Sequence, residues 1–96
     1  MKPRRKVERA LRRAQDALDR LEALRRRGRL TPGAFLDATP TIRDYLAAVD
    51  RELAHDADAA RTYAADRRLV LDRTRSLAES VGLGQVWEET MGRDEE

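Results

Sequence analysis

The sequence predicts an all-α domain, an antiparallel helical hairpin, and three observations carry that prediction. Apolar residues recur at alternating spacings of three and four through two long stretches. Between Thr41 and Val81 there is neither Gly nor Pro, the residues that most readily stop a helix. Apart from Pro3 and Gly92, the glycines and prolines gather at 28–40 and 82–84, where a hairpin needs its turns.

The first long helix is expected over 3–28. Val7, Leu11, Ala14, Leu18 and Leu21 form its seam, flanked at seven-residue intervals by Ala10, Ala17 and Leu24. This coiled-coil-like stripe suits packing against another helix. Pro3 fits a first turn, where its missing N–H costs nothing, and Gly28 fits a left-handed cap.

A short turn helix is expected over 32–38. Thr31-Pro32 and Thr39-Pro40 both read as a capping residue followed by the first helical proline. Leu30, Phe35 and Leu36 would then pack back on Leu24. The stretch "LEALRRRGRLTPGAF", Leu21 to Phe35, resembles the short SHOCT motif, a resemblance that implies a helix corner and no active residues.

The second long helix is expected over 41–81. Its seam runs Ile42, Leu46, Val49, Leu53, Ala60, Tyr63, Val70, Leu77 and Val81 in one register, with Asp56, Arg67 and Thr74 filling the remaining places. Ala57, Ala64, Leu71 and Ala78 make a parallel row. A continuous helix of about forty residues would reach ~60 Å and overhang the first, which calls for a second copy of the chain. The alternative is a break at "HDAD", 55–58, with Asp56 or Asp58 as cap and a compact three-helix bundle as the result. No strong breaker stands there, so the continuous helix is the preferred reading. Gly82 and Gly84 end it, a short helix follows over 85–91, and 92–96 is expected to be a disordered tail. One domain spans 1–96.

Composition bounds the function. Of the 96 residues, 41% are hydrophobic and 40% charged, with a mean hydropathy of −0.76. No signal-peptide core or membrane-length apolar run is visible. Without cysteine there is no disulfide, thiolate metal site or thiol nucleophile, and a cytoplasmic location is expected. The net charge of +2 hides an asymmetry, +8 over residues 1–30 and −6 over 31–96.

The candidate sites follow from these patterns. Leu11, Leu18, Leu21, Leu46, Val49, Leu53, Val70 and Leu77 are expected to hold both the fold and a protein interface, which makes a protein–protein interaction or oligomerisation module, dimeric, the first functional reading. Trp87, after the glycine pair, is the candidate anchor for a partner, with Val86 and Met91 beside it. Lys6, Arg9, Arg13, Arg20 and Arg27, with Arg12 and Arg26 alongside, make a cationic stripe opposite the seam, and nucleic-acid contact through it is the alternative reading. Against that stand three acid-first i,i+4 pairs, Glu8/Arg12, Asp16/Arg20 and Glu22/Arg26, which would dilute the field. The acidic remainder of the chain could also lie against the stripe.

No enzyme, metal or cofactor is expected. Glu52 and His55 have the E-x-x-H spacing of helical metal sites, yet on a helix His55 points about 160° away from Leu53. Tyr45 and Tyr63 read as packing at the edge of the seam, and Asp44, Asp50, Asp66 and Asp72 as a solvated face. "LDRLEALRRR" is similar to the first helix of all-helical chorismate mutases, but the later helices offer no matching pocket residues.

Overall fold

The computed structural model describes residues 5–91, the side chains of Thr90 and Met91 excepted. Pro3, the expected tail 92–96 and the Met91 side chain therefore lie outside the described residues. The described chain is all-helical: α1 (Arg5–Arg26), α2 (Pro32–Leu53), α3 (Ala57–Ser80) and α4 (Gly84–Met91). α1, α2 and α3 pack on one another around one core, and α4 packs on α3.

The expected division into 32–38 and 41–81 is not the one that forms. α2 runs unbroken through Pro40, and a local substitution of one donor for another explains how. Proline at 40 has no N–H to give the Leu36 carbonyl. The Thr39 hydroxyl donates to that same carbonyl at 2.8 Å. Thr39-Pro40 therefore repairs a helix and does not start one. The true start is eight residues earlier, where Thr31 Oγ1 accepts from the Ala34 N–H at 3.1 Å and Pro32 opens the first turn.

The break falls at 54–56, overlapping the start of the "HDAD" string. Asp56 takes an extended conformation, and its carboxylate accepts from the N–H groups of Asp58 (3.0 Å) and Ala59 (3.1 Å). This cap satisfies two of the donors that open a new helix. The continuous forty-residue helix is thus corrected to two helices in a body 43 Å in its longest dimension. The overhang that called for a second copy disappears with it. His55 sits exposed in the break, not on a helix face.

Glycine closes the other two turns. Gly28 (φ 68°) follows α1, with Arg29 N–H donating to Leu24 O at 2.9 Å and Gly28 N–H to Arg25 O at 3.0 Å. Gly82 (φ 77°) repeats the pattern after α3, with Leu83 N–H on Ala78 O at 2.8 Å. Both are Schellman turns, in which a left-handed residue lets two orphan carbonyls find donors. In the second, Leu83 folds back on the core.

The core gathers Val7, Ala14, Leu18 and Leu21 of α1, Phe35, Ile42, Tyr45, Leu46 and Val49 of α2, and Ala59, Tyr63, Val70, Leu77 and Ala78 of α3. Leu36, expected to close the corner against Leu24, is half exposed instead. Thr74 fills its seam position fully buried, its hydroxyl turned back to Val70 O at 2.7 Å.

Tyr45 is not edge packing: its ring has no exposed surface. Among the described residues its Oη is a buried side-chain polar atom without a hydrogen-bond partner. Burial, reinforced by the negative charge of Asp66, pushes its pKa from 10.0 up to about 12. Because this phenol loses its proton more easily unfolded than folded, the fold keeps its full stability below pH ~10 and loses part of it as pH climbs toward 12. Because the buried Oη has no hydrogen-bond partner among the described residues, Tyr45→Phe is expected to raise the urea midpoint, by up to about 1 kcal/mol of stability. It should also flatten the loss of stability above pH ~10. Denaturation curves at neutral and alkaline pH check both.

Candidate interaction surfaces

The apolar seam proposed from sequence is consumed by the chain's own core. Leu18, Leu21, Leu46, Val49, Val70 and Leu77 are all buried, and Leu11 and Leu53 half-buried. Side chains packed this way hold the fold and offer little to a partner. Trp87 is also inside, 6% exposed, with its ring edge-on to Phe35 at 6.1 Å between centroids and 80° between planes. It is the pin that docks α4.

What stays outside is arranged by charge. At about 100° per residue, α1 divides into three sectors. One is the apolar seam. A second holds Glu8, Asp19 and Glu22 with Arg12 and Arg26 among them, and the third holds Lys6, Arg9, Arg13 and Arg20, with Arg27 in the turn just beyond the helix. The acidic sector takes an arginine from α3: Arg73 Nη2 donates to Asp19 at 2.7 Å and to Glu22 at 3.0 Å, while its Nε reaches Glu22 at 3.3 Å. These bonds hold the Arg73 guanidinium pKa above its ordinary value, the hydrogen bond to Glu22 being the largest cause.

This reverses two expectations. Among the described residues, none of the three i,i+4 pairs of α1 closes to ion-pair distance. The acidic half of the chain does not cover the stripe either, because the inter-helix contact is made by α1's own acids. All five stripe residues are exposed, and none is in an ion pair with a described residue.

Two concavities flank Trp87. The larger, about 920 Å³, lies between α2, α3 and α4 over Leu53, Ala60, Ala64 and Leu71. On its rim Arg67 is bonded to Asp50 at 3.0 Å and Arg75 lies 3.4 Å from Glu88, while Arg68 and Asp72 line it in no ion pair with a described residue. The smaller, about 150 Å³, lies between the start of α2 and α4. Phe35, Trp87 and Leu83 line it, Leu36 and Val86 flank it, and Arg43 stands at its edge. Leu36 and Val86 are 51% and 52% exposed. Arg43 is in no ion pair with a described residue.

Sequence reasoning pointed to Val86 and Trp87 but missed Leu36 and Arg43. Their signal was the uninterrupted helical spacing across Pro40, which places Leu36, Thr39 and Arg43 on one face. Among the described residues no group of carboxylates and histidine is placed to hold a metal ion, and no helix is long and apolar enough to cross a membrane. No protein-family model matches the chain, the stretch Leu21–Phe35 included, and neither a curated protein nor a solved structure matches it.

Proposed function

We propose that this chain is a small helical protein–protein interaction module that associates with a second copy of itself through the cleft between α2 and α4. In this reading α1 and α2 form an antiparallel hairpin, supported by the short connection 27–31. The observation that carries the proposal is the set of large apolar side chains left half exposed: Leu36, Val86 and, on α3, Leu69. Two of them flank the cleft. The third stands away from it, with Asp66 and Asp72 one turn to either side.

The cleft has room for one aliphatic side chain and an uncompensated arginine at its edge. Leu69 offers such a side chain beside two carboxylates that are in no ion pair with a described residue. Knob and socket thus match in polarity as well as size. A net charge of +2 sets little repulsion against self-association.

Light scattering tests this reading. The wild type should approach twice 11.0 kDa as concentration rises, and Leu69→Asp and Val86→Asp should each stay monomeric with unchanged helicity. Mixing the two variants should restore association, because one intact knob meets one intact socket. A wild type that remains monomeric at millimolar concentration would refute the self-association. A mixture that fails to associate, with the wild type dimeric, would move the interface elsewhere.

A further inference from the structure

We propose that the third sector of α1 is a docking strip for the phosphate backbone of double-stranded nucleic acid, contacted without reading sequence. This goes beyond self-association and does not use the cleft.

Lys6, Arg9, Arg13 and Arg20 fall within about 60° of arc on α1 and span ~20 Å, and Arg27, in the turn that follows, carries the row to ~30 Å, close to one turn of duplex. Along α1 only Asp16, with Arg20 four residues on, is in reach of the strip, and no ion pair closes between them; Asp19 and Glu22 lie on the neighbouring sector and hold Arg73. Asp16, exposed at the strip's border, is the one carboxylate that subtracts from it. A row of cations in no ion pair with a described residue matches a polyanion of regular charge spacing.

The same surface argues against the other polyanions. A membrane-surface helix needs an apolar face to sink into the lipid, and α1's apolar face is in the core. Among the described residues the exposed large hydrophobics are Leu36, Leu69 and Val86, none of them on α1. A protein interface needs an apolar centre, and the strip has none. Single-strand binders stack bases on aromatic rings, and α1 carries no aromatic residue.

The test is fluorescence anisotropy with a labelled duplex of about three turns, as DNA and as RNA. Single-stranded oligonucleotide, polyglutamate and phosphatidylserine vesicles serve as competitors. With about four net contacts, affinity for duplex should fall roughly a hundredfold between ~50 and ~200 mM salt. Arg13→Glu with Arg20→Glu should weaken binding at least tenfold at low salt and shallow the salt slope by about two. Arg51→Glu with Arg61→Glu makes the same charge change on exposed positions of α2 and α3 and should leave affinity within about twofold. Repeating the titration on Val86→Asp separates this binding from self-association.

Equal loss in the two double variants would reduce the effect to net charge and overturn the proposal. So would tighter binding to polyglutamate, vesicles or the single strand than to duplex, or no binding at ~50 mM salt.

Discussion

Phe35→Ala should be the most damaging single substitution in the described chain, costing about 3–5 kcal/mol. The ring is 2% exposed and holds two things at once: the start of α2 in the core and, edge-on, the Trp87 ring of α4. A domain of this size has roughly 5–14 kcal/mol in total, so the loss is a large share of the whole. The failure should not be uniform. Trp87 is the one described α4 side chain inside the core, while Gln85, Val86, Glu88 and Glu89 are exposed. Deprived of Phe35, α4 should release before the three larger helices melt. Trp87 is also the sole tryptophan, so its emission reports that release directly. The expected result is a red shift at lower urea than the loss of helical circular dichroism. Leu36→Ala, next in sequence but half exposed, should cost no more than about 0.5 kcal/mol and keep the two probes coincident. Equal costs for the two variants would mean that the core is drawn wrongly.

The helical class and most of the core were legible because burial follows a spacing that the sequence displays. Val7, Ala14, Leu18 and Leu21 occupy the stripe expected of them, as do Ile42, Leu46, Val49, Val70 and Leu77. The register does not reveal whether two stretches in phase are one helix or two facing each other, since the same residues turn inward either way. The outcome is set by backbone hydrogen bonds of single residues. Thr39 lends a hydroxyl where Pro40 lacks a donor, so a pair that reads as a start lies inside a helix. Asp56 caps, so a position that reads as a seam filler becomes a hinge. The charge pattern had a similar ambiguity. The acids of α1 were in reach of its own arginines and of Arg73, and the fork of a guanidinium between two carboxylates prevails over exposed i,i+4 pairs worth a few tenths of a kcal/mol. That choice leaves Arg26, beside the stripe, without its expected partner, which no spacing along α1 could disclose.

The hinge therefore rests on one carboxylate, and Asp56→Leu should convert the fold closed within one chain into an intertwined pair. The substitution removes the cap, worth about 1 kcal/mol, and places an apolar side chain in the register that joins Leu53 to Ala60. From Thr41 to Val81 nothing else opposes helix. With 54–56 helical, α2 and α3 become one rod, and α3 can no longer reach the α1 and α2 of its own chain. It can reach those of a second chain, where the same contacts re-form, the Arg73 bonds to Asp19 and Glu22 among them. Such an exchange leaves the core energy nearly unchanged, so the hinge decides the balance. A shift of about 1.4 kcal/mol changes that balance tenfold. The expected readings are a mass near twice 11.0 kDa, increased helicity, and no return to monomer on rapid dilution. This dimer should survive addition of Val86→Asp, which distinguishes it from association through the cleft. Persistence of a monomer with reduced stability would show that packing between α2 and α3, and not the Asp56 cap, keeps the hinge bent.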